Sequence, residues 1–521
     1  MFKSILLLGY SQPYEKSSPC RLKGYDWSAY GEGILMRKIP KCMSTQHPDN
    51  VHIPFFANNS VIGGEDEIQE AFYVFSHLDC DEQMWDCEGK EVDDFVVKKL
   101  LTKYESFFRE KRLGKDVFIT LRVPNPAVEK AEAKVLLETL ESIPRSFDAA
   151  KLFSNDEISP VFEVILPMIA SSNCIDRVYR YYRDFVAGKG NKSLKKGDIT
   201  IAEWIGELKP ASINVIPLFE DMESLLDAHS IVKEYLRDKN IDSQRVFLAR
   251  SDPAMNYGLI SAVLLNKIAL WNLCALSKEI GVGLYPIIGA GSAPFRGNLK
   301  PSTVKKIVNE YAGTHTFTVQ SAFKYDNPPN VVREAVMSLK EREESFPREV
   351  DIERCLNIIK KYCKEYQKQV KELAQVINKV ARYVPNKRKR KLHIGLFAYS
   401  RDMGGITLPR PIKFTAALYS IGLPPELLGL NALDKNDIAF LKEVYVNFED
   451  DLRDAFQFFN EDSSIIPDRI KQTVRDFPID FRVNEEHKAI TNHIIACLNS
   501  DESKDFQEFI LSAASLRSFL G

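Results

Sequence analysis

Eight short apolar runs punctuate the first two thirds of the chain, and each stops at charged, amide or glycine residues. They lead into 43–47, 85–88, 117–122, 161–167, 213–220, 246–252, 284–289 and 316–320. Between most of them stand segments with apolar residues at three- and four-residue spacing, such as 126–143, 221–239 and 256–280, so the pattern predicts strands alternating with helices. Alternating units of this kind build a parallel sheet, and eight of them predict an α/β fold, a closed (β/α)8 barrel of the TIM type. In such barrels the reacting groups sit at the C-terminal strand ends, where His47, Arg122, Glu220 and Asp252 fall.

After the eighth run the pattern changes. Segments 330–344 and 350–383 read as long amphipathic helices, a Gly- and Pro-rich zone follows at 395–429, and the last ninety or so residues return to helical spacing. The expected organisation is a barrel over 36–329 and an α-helical region over 330–521 packing on it, with an active-site loop segment near 395–429. Residues 1–35 carry Pro, Ser, Gly and Tyr without periodicity. They read either as a loosely docked extension or as a stretch ahead of a start at Met36.

Composition narrows the function classes. Seventy basic against 72 acidic residues leave a formal charge of −2, and the largest basic run, 385–391, stands alone. It reads as a solvated loop between helices, since no broader basic face accompanies it; nucleic acid is not expected as a partner, and a small anionic substrate is. Nine cysteines, an odd number with no C-x-x-C pair, argue against a zinc ribbon or a secreted disulfide framework and for the cytoplasm. No apolar stretch reads as reaching the ~20 residues of a membrane helix, and 5–8 is too short for a signal-peptide core.

Three constellations carry chemistry. Glu220 and Asp252 each follow an apolar run, which would aim both carboxylates into the barrel mouth as a site for Mg²⁺ or Mn²⁺; the alternative is that each caps the helix after it. The turn 289–297, containing Gly291 and Ser292 and ending near Arg296, could bring backbone N–H groups and a guanidinium to a phosphate, or could be a plain connector. Its place after the seventh strand favours the phosphate reading. His47 is held extended by Pro48 at a strand end, and Arg122 reads either as a substrate ligand or as half of a buried ion pair with Asp86 or Glu88. No biotin-attachment sequence, Walker A loop or nicotinamide fingerprint is present.

Together Ser44 to Asn50, Trp85-Asp86-Cys87-Glu88-Gly89-Lys90, Pro217-Leu218-Phe219-Glu220, Ala249 to Gly258 and Gly291 to Gly297 resemble the archaeal-type phosphoenolpyruvate carboxylases, in order and spacing. Leu408-Pro409-Arg410-Pro411 and Gly422 to Gly429 extend the resemblance towards the C-terminus. It implies a Mg²⁺-dependent, biotin-free carboxylation of phosphoenolpyruvate by bicarbonate, through carboxyphosphate and enolpyruvate, to oxaloacetate and phosphate. It also implies a cytoplasmic homotetramer supplying four-carbon acids. Carried over, Glu220 and Asp252 hold the metal, Arg122 and Arg296 hold phosphate with Gly291 and Ser292, and His47 serves the carboxylation step.

The sequence departs from the larger bacterial and plant enzymes of that activity. Met255 stands where they have a lysine, Ala290 where they have an arginine and Ile288 where they have a histidine, as in the archaeal-type branch. Arg401 and Arg410 are the candidates for the missing charge, and their segment, with the glycine-rich loop, for a cover that excludes water. The rival readings are another Mg²⁺-dependent lyase on the same barrel, citrate-lyase-like, and a barrel that has lost catalysis and binds a metabolite.

Overall fold

A computed structural model of the protein describes residues 38–87, 93–131, 133–389, 406–500 and 505–521, with the backbone of Arg401 and Asp402 besides. The readings of the extension 1–35, of Glu88 and of the Arg401 side chain fall outside the described residues. Eight parallel strands close a barrel in chain order: β1 (Cys42–Ser44), β2 (Glu82–Asp86), β3 (Phe118–Arg122), β4 (Glu163–Leu166), β5 (Asn214–Phe219), β6 (Ser243–Ala249), β7 (Gly283–Gly289) and β8 (Thr316–Val319). The ring shuts where β1 pairs with β8, Met43 opposite Thr318.

Strand alternation sorts the side chains into an outer and an inner set. On β6, Val246 and Leu248 join the large outer core under the helices, whereas Phe247 and Ala249 join a separate inner cluster with Met43, Met84, Ile165, Ile216, Leu218 and Ile287. Below that apolar layer the same parity places Arg245, which donates to Glu82 at 2.8 and 2.7 Å and to Glu163 at 3.1 Å. Above it the parity continues through Asp86, Arg122 and Glu220 to the C-terminal mouth. Function and packing thus share one periodicity: an inward position is a buried ion at the floor, hydrocarbon in the middle and a reactive group at the top.

The helices differ from the sequence expectation chiefly at their ends. The segment expected over 126–143 forms a helix at Ala133–Ser154, because Asn125 first folds its own turn, its side chain accepting from the Ala127 N–H at 3.0 Å. The segment at 221–239 is two helices, Met222–Leu226 and Ala228–Leu236, and Gly258 separates Ser251–Tyr257 from Leu259–Ile280. Gly258 has φ +87°, and a Cβ there would lie 2.5 Å from the Tyr362 ring, so both backbone and packing require glycine.

Leu259–Ile280 also corrects the expectation that no stretch is long and apolar enough to span a membrane; by length and composition it is. In this fold it is a core helix, 78% of its most apolar window being buried. It lies against the 30-residue helix Ile352–Ala381, whose Tyr366 hydroxyl donates to the Met255 carbonyl at 2.8 Å. The helical region and the barrel form one compact unit from Lys38 to Gly521.

Candidate active site

The barrel mouth holds a cavity of about 650 Å³ with Met84, Leu218 and Phe247 as its apolar floor. Of the residues singled out in the sequence, His47, Arg122, Glu220, Asp252, Arg296 and Arg410 line it; Gly291 and Ser292 do not. The reading of Glu220 as a helix cap falls away, since Asp221 caps the next helix, accepting from the Ser224 N–H at 2.9 Å. The Glu220 carboxylate instead accepts from the Met168 N–H at 2.7 Å, and Met168 is itself held at φ +54°. Asp252 sits in the first turn of Ser251–Tyr257 and is half-buried.

Arg122 forms the ion pair of one reading and stands on the cavity, where the other reading needs it. It donates to Asp86 at 2.9 and 2.8 Å in a two-pronged pair and also faces the cavity. The pair fixes the guanidinium plane at the cavity wall. His47 is half-buried with Nδ1 2.9 Å from the Thr45 hydroxyl, a contact that orients the ring.

The glycine loop works differently from a phosphate cradle. Its amide groups are engaged internally: Gly291 N–H donates to the Arg296 carbonyl at 2.8 Å and Ser292 N–H to Asp49 at 3.4 Å. A Cβ at Gly291 would lie 2.9 Å from the Arg296 guanidinium, so glycine is needed there to make room for that side chain. Arg296 is 1% exposed and donates to Ser251 at 3.2 Å, Asp49 at 3.2 Å, the Gly521 carbonyl at 2.7 Å and Gln320 at 2.5 Å. Burial lowers its pKa, with Asp49 opposing the shift.

Asp49, two residues past His47, was not foreseen and ties the site together. It takes N–H groups from Ser292 and Ala322 and the Arg296 guanidinium, while its own carbonyl accepts from Leu520 N–H at 2.7 Å. Burial raises its carboxyl pKa, the neighbouring Arg296 partly offsetting this.

The basic run, described over 385–389, is not simply a solvated loop, which corrects the sequence reading. Lys387 and Arg388 are 5% and 3% exposed, and both, with Lys389, line the cavity. Lys387 donates to the Val51 carbonyl at 2.7 Å, and Arg388 pairs with Glu67 at 3.3 Å and Glu70 at 2.5 Å. These carboxylates lie more than 300 residues away in sequence, which is why the run looks unpaired when read alone. Lys413, three residues beyond Arg410, also lines the cavity and was likewise missed.

Comparison with known proteins bears on what this mouth is. A family model described as phosphoenolpyruvate carboxylase matches residues 39–521. The chain belongs to the phosphoenolpyruvate carboxylase family. Curated relatives bearing that name include one from Methanothermobacter thermautotrophicus, 58% identical over 93% of this chain and the whole of its own length. A second, from Methanospirillum hungatei, is 56% identical with the same coverage, and one from Halobacterium salinarum is 48% identical, again over 93% of this chain and all of its own. A crystal structure of an HpcH/HpaI aldolase/citrate lyase family protein from Burkholderia cenocepacia aligns at 15% identity with a TM-score of 0.31, covering 58% of this chain and 94% of the other. A likeness of that size does not bear on the chemistry.

Within the phosphoenolpyruvate carboxylase family, the three departures from the larger enzymes have packing causes here. Met255 is fully buried in the outer core, as is Ile288. Ala290 is 1% exposed and packed so closely on Gly297 that a Cβ there, at φ +124°, would lie 2.8 Å from its methyl group.

Glu220 and Asp252 are the acidic pair of the cavity, and among the described residues no group of three or more His, Cys, Asp or Glu is poised to hold a metal. Two carboxylates fit Mg²⁺, which keeps waters and takes substrate oxygens, better than Zn²⁺ in a closed structural site or Ca²⁺ in an all-protein cage.

Proposed function

We propose that the chain carboxylates phosphoenolpyruvate with bicarbonate, yielding oxaloacetate and inorganic phosphate, in a Mg²⁺-dependent and biotin-independent reaction. The observation that carries the reading is the convergence of two strand-end carboxylates, His47 and a surplus of cations on one cavity, in a chain matched to the carboxylase family over nearly its whole length.

Arg122, Arg410 and the basic wall 387–389 bind the substrate's phosphate and carboxylate. Bicarbonate oxygen attacks phosphorus, the bond from phosphorus to the enol oxygen breaks, and carboxyphosphate and the enolate of pyruvate form. His47 takes the carboxyl proton as carboxyphosphate splits to CO₂ and phosphate, and C3 of the enolate adds to CO₂. Glu220 and Asp252 would hold the ion, which when bound supplies positive charge to the phosphoryl and enolate oxygens. Met84, Leu218, Phe247, Ile412 and Leu520 give the cavity an apolar side that limits water, whose proton would otherwise divert the enolate to pyruvate.

The same reading makes the protein a cytoplasmic homotetramer. In its support, no disulfide joins the eight described cysteines. Phe185, Leu194, Ile199, Trp204 and Ile205, each more than half exposed, give the connection between β4 and β5 an apolar surface suited to subunit contact.

Oxaloacetate formation with Mg²⁺, coupled to malate dehydrogenase, tests the activity on the wild type and on Asp252→Asn. Bicarbonate-dependent turnover that collapses in the variant is expected. A folded protein that binds phosphoenolpyruvate but forms no oxaloacetate overturns the proposal and leaves a lyase of another kind or a binding protein.

A further inference from the structure

The helix Pro411–Ser420 presents Lys413 from its first turn to the cavity. Its flank is fixed: Phe414, Thr415, Ala416 and Ala417 are fully buried, so the lysine is carried on a rigid element. The fully buried cations of the mouth described above have protein acceptors. Arg122 has Asp86, Arg296 has Asp49, Arg388 has Glu67 and Glu70, and Lys387 has the Val51 carbonyl. Lys413 is half-buried and, among the described residues, makes no hydrogen bond or ion pair.

A cation withdrawn from water without an acceptor costs free energy, and folded chains keep one where a ligand completes it. The alternative home for this charge is closed. The position that carries a lysine in the larger enzymes is Met255 here, one helical turn beyond the cavity-lining Ser251 but fully buried in the outer core and not on the cavity wall.

We propose that Lys413 is a substrate-binding residue whose ammonium donates to an oxyanion group of phosphoenolpyruvate, supplying from the helical region the charge that the barrel loop lacks. The inference rests on the carboxylase reading above. Phosphoenolpyruvate is favoured over bicarbonate because it brings two anionic groups to a mouth whose guanidiniums at Arg122 and Arg296 are already shared with carboxylates. Burial alone lowers the pKa of the free lysine to about 8, and a bound anion would restore its proton.

The test is steady-state kinetics of Lys413→Met and Lys413→Arg, varying phosphoenolpyruvate and bicarbonate separately. Titration calorimetry of phosphoenolpyruvate with Mg²⁺ in the absence of bicarbonate accompanies it. Lys413→Met is expected to raise KM and Kd for phosphoenolpyruvate tenfold or more, the scale of one charge-assisted hydrogen bond, and Lys413→Arg to recover most of that loss. Its thermal midpoint should equal or exceed that of the wild type, since no protein contact is lost. An unchanged KM and Kd for phosphoenolpyruvate overturns the proposal, as does a rise confined to bicarbonate or a loss of stability with kinetics intact. Absence of oxaloacetate from the wild type would be a failure of the carboxylase reading and is seen before any variant is compared.

Discussion

The two ends of the barrel use the same residue types at the same inward parity to opposite effect. At the floor, Arg245 meets Glu82 and Glu163, all three 6% exposed or less, and none of them lines the mouth cavity. At the mouth, Arg122, Glu220 and Asp252 stand around about 650 Å³ of space. Floor charges are paired with each other and hold strands together; mouth charges are arranged with room between them for a third party. Residue type alone does not separate structural from functional ions. Height along the strand does, because barrel loops at the C-terminal end leave space that close packing at the other end does not.

The sharpest way to break this comparison is to neutralise one ion at each end. Glu220→Gln at the mouth should lower kcat/KM about a thousandfold, with a thermal midpoint within a few degrees of the wild type. Arg245→Met at the floor should do the reverse. It leaves Glu82 and Glu163 buried without their cation, so unfolding in urea is expected to show a loss of about 3–5 kcal/mol, while kcat of the protein that remains folded stays within a few-fold. Equal losses of activity from both would show that the floor is coupled to the chemistry and that the comparison is false.

How much of this was legible in sequence follows the same line. All eight strands could be read, because each is a buried apolar run whose ending is abrupt, and the inward parity carried Arg122 and Glu220 to the right place. What could not be read depended on partners distant in the chain. Arg388 looked solvated because Glu67 and Glu70 sit on a helix packed against β2 and reached only through the fold, and Lys387 because its acceptor is the distant Val51 carbonyl. Gly291 and Ser292 looked like phosphate ligands because a glycine turn after a strand gives no sign that its amides point at Arg296 and Asp49. Lys413 gave no signal in a helix whose neighbours are apolar.

A smaller effect sharpens the middle of the comparison. Gly291→Ala sits at neither the floor nor the cavity wall. Its new methyl group would press on the Arg296 guanidinium at 2.9 Å, and the loop must give way. A stability loss of about 1–3 kcal/mol is expected. KM for phosphoenolpyruvate should rise more than kcat falls, since Arg296 helps to hold the wall rather than the reacting atoms. Binding that is abolished outright, with stability intact, would instead return Gly291 to the role of a direct phosphate ligand.

The last test concerns Glu426, a buried carboxyl behind the glycine loop that belongs to neither end. It accepts from the Phe295 N–H at 2.6 Å and the Tyr419 hydroxyl at 2.8 Å, and burial raises its pKa from 4.5 to about 7. The folded protein therefore keeps a proton that the unfolded chain releases between those values. Stability from this group is full below about pH 4.5 and falls as pH rises through 7, by at most about 3 kcal/mol. Asp451, raised by burial to about 7, contributes in the same direction, and its charge pushes the Glu426 carboxyl further up. Glu426→Gln keeps the shape but cannot ionise, so the fall in thermal midpoint between pH 5 and 8 should be smaller than in the wild type. If the fall is unchanged, Glu426 is charged in the fold and a cation near it, with Lys300 and Arg517 as the choices, compensates it as Arg245 is compensated at the floor.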